Sequence, residues 1–227
     1  MDILDEYLEY SANSDMTKTM SRRPIKQRES GWAKSIAAAL GRVGITPNQV
    51  SITSMVFAAL AGACFLISPD LSPMSRAIAL IIAVLACQAR LLCNLFDGMI
   101  AVEGGHSTPD GTFWNEFPDR ISDVLIFACA GYGAGFPELG WAAAVLAVLT
   151  AYVRELGHAN GLAPDFSGPL AKQGRMHLVS LGAIAAIFET IWISENSALS
   201  IALSVIIVGS ALTVLNRSHR MVRALKK

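Results

Sequence analysis

Charge is scarce in this chain. Only 16% of its 227 residues are Asp, Glu, Lys or Arg, while 53% are hydrophobic and the mean hydropathy is +0.46. A soluble domain carries about 25% charged residues, so that class is excluded. Cysteine is scarce too. Cys64, Cys87, Cys93 and Cys129 form no CxxC pair and lie in apolar runs, which excludes a disulfide framework or zinc ribbon and leaves them as small hydrophobes. His106, His158 and His177 have no partner at metal-ligand spacing. Aromatics are 7% of the chain, and with the methionines they read as bundle packing rather than as a cofactor box. No repeat, low-complexity tract or second domain is evident, and no nucleic-acid partner is expected.

What the chain has instead is long apolar runs. Six of them, 49–68, 76–101, 112–134, 139–157, 177–194 and 197–215, approach the ~20 residues a helix needs to cross a bilayer. About 45 polar and charged residues precede the first, so a signal peptide is not expected there. The net charge of zero hides an asymmetry: Lys18, Arg22, Arg23, Lys26, Arg28, Lys34 and Arg42 precede the first run, Arg154, Lys172 and Arg175 flank the loop at 158–175, and Arg217, Arg220, Arg223, Lys226 and Lys227 close the chain. The connections at 69–75, 135–138 and 195–196 contain no Lys or Arg. Cationic loops stay in the cytoplasm, so both termini and the 103–111 loop are assigned there. The expected fold is therefore all-α, with six transmembrane helices in residues 30–227 behind a cytoplasmic tail at 1–29. Within 30–43, Trp32, Ile36, Ala39, Leu40 and Val43 share one face, which predicts an amphipathic juxtamembrane helix with Ser30 at its N-cap. Thr46 and Pro47 then read as the N-cap and first position of the first spanning helix.

Against this apolar background the acids of the stretch 94–123, NLFDGMIAVEGGHSTPDGTFWNEFPDRISD, stand out. Carboxylates at membrane depth are costly and mark functional interiors. Asn94, Asp97 and Ala101 recur at i, i+3 and i+7 on one helix stripe, and Asn115, Asp119 and Asp123 at i, i+4 and i+8 on the next. Two such stripes could hold hard divalent cations between two helices. Gly98 and Gly111 would let a ligand approach the backbone, and Pro118 should loosen the second helix near Asp119.

The spacing resembles that of the CDP-alcohol phosphatidyltransferases, whose motif is D-x2-D-G-x2-A-R-x8-G-x3-D-x3-D. Here it reads Asn94-x2-Asp97-Gly98-x2-Ala101-Val102-x8-Gly111-x3-Asn115-x3-Asp119, with every interval kept. The segment ITPNQVS at 45–51, Arg154-Glu155, and Gly168-Pro169-Leu170-Ala171-Lys172 are similar to other segments of that family. The resemblance implies a homodimeric membrane enzyme that transfers a phosphatidyl-type group from a CDP-diacylglycerol-like donor to an unknown alcohol, releasing CMP. It implies magnesium or manganese, two ions, as cofactor. Carried over residue by residue, it makes Asp119 the catalytic base, gives Asn94, Asp97, Asn115 and Asp119 to the metals, and gives Asp97, Gly98, Ala101, Gly111 and Asn48 to the donor. Arg154, Lys172 and Arg175 would bind an acceptor phosphate, or simply follow the inside-positive bias.

The departures matter as much as the match. Two motif acids are amides, Asn94 and Asn115, and the motif arginine is Val102. Asn offers an oxygen ligand but no charge. Glu116 and Asp123 could restore the loss as metal ligands, since they share a face with Asp119, as in a variant, YnbA-like branch of the family. The alternative is a decayed site that binds nucleotide or lipid without turnover. A small cation transporter would also account for buried acids. Arg90, one turn before Asn94, could pair with Asp97 or reach a phosphate, and Arg120 could orient a carboxylate.

Overall fold

The computed structural model describes residues 30–103, 110–192 and 197–226, and these are helical apart from short connections. The tail at 1–29 and most of the 103–111 loop, His106 included, lie outside the described residues. A first helix, α1 (Gly31–Arg42), precedes six long ones: α2 (Pro47–Ile67), α3 (Pro73–Glu103), α4 (Gly111–Gly133), α5 (Pro137–Ala159), α6 (Lys172–Trp192) and α7 (Ser197–Leu225). A 3-10 turn at Ser68–Asp70 links α2 to α3. Four of the six, α2, α3, α5 and α7, are long and apolar enough to cross a membrane by length and composition. The other two carry charge: Glu116, Asp119, Arg120 and Asp123 in α4, and Lys172, Arg175 and Glu189 in α6.

Local signals set the helix starts. Thr46 accepts from the Gln49 N–H at 3.3 Å while its own N–H donates to Gln49 Oε1 at 3.0 Å, a reciprocal capping box with Pro47 in the first turn. Ser30 occupies the N-cap of α1 without a side-chain capping bond. Pro118 removes one helical donor, yet α4 continues through it. Helices α6 and α7 reach further than their apolar runs, because the backbone keeps its pattern into the charged ends at Lys172–Arg175 and Arg217–Leu225. The polar loop between α5 and α6 is correspondingly shorter than the sequence suggests.

Neighbouring helices close into a ring in the order α2, α3, α6, α7, α5, α4. The interior is packed with small and medium apolar side chains, including Ala58, Phe65, Leu80, Ala83, Phe127, Ala147, Met176 and Leu203. Alanine and glycine dominate the contacts and let backbones approach. A Cβ built on Gly131 would lie 2.6 Å from Gly140 Cα, and one on Gly140 would lie 2.6 Å from the Phe127 carbonyl oxygen. Small residues at such crossings are typical where packing, not hydrophobic expulsion, holds helices together. The outer surface presents Val56, Leu60, Leu85, Val145, Leu181 and Val208 to the surroundings, a continuous apolar exterior suited to lipid.

Helix α1 lies outside the ring against α3. It buries Ala33 and Ala37 with Leu95, Phe96 and Met99, and Trp32 meets Phe96 edge-on at 6.2 Å. Trp32, Ile36 and Val43 remain substantially exposed, so the predicted apolar face is only partly used by the bundle.

The α4–α5 crossing yields a direct test. Gly140→Ala should destabilise the protein by about 1–3 kcal/mol, because the new methyl meets backbone rather than a movable side chain. Thermal unfolding in detergent would show it as a lowered midpoint. An unchanged midpoint would mean the helices do not touch there.

Candidate functional site

Among the described residues the buried charge, Arg90, Asp97, Asp119, Asp123, Arg175 and Arg217, gathers toward the end of the ring where α2, α4 and α6 begin and α3, α5 and α7 finish. The two motif carboxylates reach it from different helices. Asp97, on α3, is 4% exposed, and its Oδ2 accepts from Ser51 Oγ of α2 at 2.8 Å. Its Oδ1 accepts from the Gly98 N–H. Asp119, on α4, is 5% exposed and lies within electrostatic reach of Asp97.

Donors surround Asp119. Its Oδ1 accepts from Asn94 Nδ2 at 2.9 Å and from Arg90 Nη2 at 3.3 Å. Its Oδ2 is held by the Lys172 ammonium, with Arg120 Nη2 at 3.7 Å. Arg90 also donates to the Asp119 carbonyl oxygen at 3.3 Å. The amide of Asn94 therefore acts toward Asp119 as a donor, which a carboxylate in its place could not do without a proton.

One turn deeper, Asp123 is sandwiched between two guanidinium groups. Arg90 Nη2 reaches its Oδ1 at 2.7 Å and Arg175 Nη2 its Oδ2 at 3.2 Å, and Arg90 and Asp123 are fully buried. Arg175 Nη1 is further fixed by Thr150 Oγ1 at 3.0 Å and the Leu170 carbonyl at 3.1 Å. Arg90 thus joins Asp119 and Asp123 rather than Asp97. Arg175 is spent on the same carboxylate and on α5, so it is not an open anion-binding group.

Glu116 turns the other way. It pairs with Arg154 on α5 and with Arg120 at 3.3 Å, and Arg154 also holds Glu155 at 2.8 Å and covers the Phe166 ring at 5.3 Å. The sequence-level expectation that Glu116 and Asp123 restore metal-binding charge meets a different arrangement here: each carboxylate is already matched by an arginine. The reason is geometric. Glu116 lies on the α5-facing side of α4, and Asp123, one turn beyond Asp119, is enclosed by Arg90 and Arg175. Asn115, the other amide, is exposed on α4. Asn48 is half-buried in the first turn of α2, three residues before Ser51, and Gly98, Ala101 and Gly111 are half-buried around the two helix ends.

Several members of this network were not singled out from sequence. Ser51 belongs to the ITPNQVS segment and could have been suspected. Thr150 carried no signal. Arg217, counted only among the C-terminal cations, is 6% exposed and donates to the Thr150 carbonyl and the Ser167 carbonyl, at 2.7 and 2.8 Å. Asp165 and Arg220 pair at 3.3 Å beside it. In that loop, desolvation opposes ionisation of Asp165, but hydrogen bonds from Ser167 and the charges of Arg220 and Arg217 outweigh it and hold the carboxyl below its usual range. Arg154, Gly157, Leu162, Asp165, Arg217 and Met221 line a cleft of about 240 Å³ at this end.

The donor chemistry suits a hard cation: oxygen ligands from Asp97, Asp119 and the Asn94 carbonyl, with no thiolate or imidazole. Yet among the described residues no group of three or more His, Cys, Asp or Glu side chains converges. An ion here would complete its shell with waters and substrate phosphates, as magnesium commonly does.

Comparison with known proteins narrows the chemistry. No family model matches the chain. It is 28% identical over 197 residues to the phosphatidylinositol phosphate synthase of Mycolicibacterium smegmatis, covering 82% of each chain. It is 22% identical over 172 residues to the Escherichia coli inner membrane protein YnbA, covering 74% of this chain and 81% of that one. The fold is similar to that of Mycobacterium tuberculosis phosphatidylinositol phosphate synthase with CDP-DAG bound, at a TM-score of 0.65 and 25% identity over 83% of this chain and 92% of that one. The same enzyme in complex with manganese and citrate gives a TM-score of 0.65 and 26% identity over 83% and 88%.

The Asp123 clamp is directly testable. Asp123→Asn should destabilise the protein by about 3–5 kcal/mol, because it strands two buried guanidinium groups. Replacing the clamp with apolar side chains in Arg90→Met/Asp123→Leu/Arg175→Met should recover much of that loss. Thermal unfolding of both variants decides it: a triple variant no more stable than Asp123→Asn would contradict this account.

Proposed function

We propose that this chain is a CDP-alcohol phosphatidyltransferase: an integral membrane enzyme that moves a phosphatidyl-type group from a CDP-diacylglycerol-like donor to an alcohol and releases CMP. The observation that carries this reading is the placement of Asp97 and Asp119, two nearly buried carboxylates from different helices, at one charged end of an otherwise apolar ring, within a motif whose every interval is kept. The similarity to phosphatidylinositol phosphate synthases over most of the chain, one of them with CDP-DAG bound, supports it.

The reaction uses a divalent metal, and bound magnesium or manganese would neutralise the diphosphate and polarise its phosphoryl oxygens. Asp97 and Asn94 would hold it, with Asp119 and Asn115 as further oxygen donors. The chain's own groups do the rest. An acceptor hydroxyl oxygen forms a bond to the phosphorus distal to cytidine. The bond from that phosphorus to the bridging oxygen breaks, and its electron pair leaves on CMP. Asp119 takes the hydroxyl proton as Lys172 shifts from its carboxylate toward the phosphates. Arg90 fixes Asp119 through both its carboxylate and its carbonyl, and Ser51 orients Asp97 from α2. Gly98, Ala101 and Gly111 line the donor's approach, with Asn48 beside them.

The membrane arrangement belongs to the same reading. All six long helices cross, α4 and α6 placing their charged turns at the cytoplasmic end, and α1 rests at the headgroup level with Trp32 and Ile36 toward lipid. Both termini are cytoplasmic, the membrane is a bacterial inner membrane, residues 30–227 form one catalytic unit, and two copies pair. Single cysteines introduced as Ser72→Cys and Asn160→Cys should label from opposite sides of sealed vesicles. Labelling from one side would overturn the orientation.

The activity is checked with purified protein, magnesium, CDP-diacylglycerol and a panel of alcohols including inositol phosphate. CMP should appear with at least one acceptor. Asp97→Asn should lower the rate at least a hundredfold and weaken donor binding. Asp119→Asn should lower the rate comparably while leaving donor binding within a few-fold. Nucleotide binding without CMP release across the panel would instead identify a non-catalytic relative, and cation flux without nucleotide binding a transporter.

A further inference from the structure

The charges at the closed end of the ring balance for one metal ion, not two. Asp97, Asp119 and Asp123 contribute three negative charges, and a CDP-linked diphosphate diester adds about two more on ordinary phosphate chemistry. Arg90, Arg175 and Lys172 contribute three positive charges, each in contact with these same carboxylates. The neighbouring Glu116, Glu155, Arg120 and Arg154 pair with one another and sum to zero charge, although Arg120 also comes within 3.7 Å of Asp119. A single divalent cation brings the interior to neutrality. A second would leave two uncompensated positive charges in a buried site, where they are costly.

Geometry agrees with the count. Both oxygens of Asp119 are engaged by this chain's own donors, Asn94 and Arg90 on one and Lys172 on the other. Asp97 forms no ion pair with a cationic side chain among the described residues, its hydrogen-bond partners being the Ser51 hydroxyl and the Gly98 N–H. The amide at Asn94 is thus coherent with Lys172. Asn94 supplies a donor where an aspartate would repel Asp119, and the ammonium supplies a positive charge beside it. We infer that this enzyme works with one divalent ion per chain, held at Asp97, and that the Lys172 ammonium stands beside Asp119 in place of a second ion. The inference deepens the transferase reading and rests on it.

The test counts metal rather than turnover. The purified full chain is loaded with manganese and CDP-diacylglycerol, freed of excess by gel filtration, and analysed for manganese per chain and by electron paramagnetic resonance. One ion per chain with an uncoupled spectrum is expected. Two ions per chain, or the exchange-coupled spectrum of a dinuclear centre, would overturn the inference, as would donor retained with no manganese. Asn94→Asp/Lys172→Met adds one negative charge and removes one positive, so the double variant should take up a second ion and show coupling. Should that variant fail to fold, the wild-type count still decides. The transferase reading fails separately: donor and one manganese retained with no CMP released to any acceptor would sink catalysis while sustaining the one-ion site, whereas CMP release with two ions would do the reverse.

Discussion

The structure depends on a single carboxylate held between two arginines. Asp123 is buried where neither water nor lipid can stabilise it, and it is tolerable only because Arg90 of α3 and Arg175 of α6 meet it from two sides. The converse holds for both guanidinium groups. Removing one member of such a buried set is far more disruptive than replacing all of them. The clamp joins α3, α4 and α6, tying α4 across the ring to two helices with which it otherwise has little or no contact. Thr150 and the Leu170 carbonyl then extend it to α5 and to the loop before α6. The ring is closed at this end by charge and elsewhere by shape.

That arrangement determines what the neighbouring acid can do. Arg90 uses the same Nη2 for Asp123, Asp119 and the Asp119 carbonyl oxygen. The height and orientation of Asp119 are therefore set by a group committed elsewhere, which is how a catalytic carboxylate is kept from drifting in a bundle of smooth helices. Asp97 is fixed more lightly, by a serine hydroxyl and a backbone N–H, and keeps its charge available. Two carboxylates with the same intrinsic chemistry thus differ in availability because one is ringed by cations and the other by neutral donors.

Much of this was legible from the sequence, for reasons that can be stated. Apolar runs bounded by prolines and glycines locate helices, because no other element satisfies its backbone in lipid; accordingly α2 and α5 begin at Pro47 and Pro137 near their predicted starts. Motif spacing located Asp97 and Asp119, since i, i+3 and i+4 periodicity is a property of the chain itself. Partner choice was another matter. Glu116 and Asp119 differ by three positions and share a helix face, yet one turns toward Arg154 and the other toward Lys172, some 53 residues further along the chain. Ion pairing across a ring depends on helix order, and periodicity contains nothing about which helix lies opposite. Arg217 was hidden for the same reason: among five terminal cations, only its position opposite Thr150 separates it from the rest.

The amide at Asn94 is best understood through this pairing. If Asn94 were an aspartate, its carboxylate would face that of Asp119 with Arg90 already committed to Asp123, and the pair would need an added cation to coexist. As an amide it bonds to Asp119 outright, so the site can hold its shape before any metal arrives. The price of that self-sufficiency is a weaker grip on divalent ions, since an amide oxygen brings no charge to the coordination shell. Lys172, where α6 begins, already neutralises Asp119 in this arrangement.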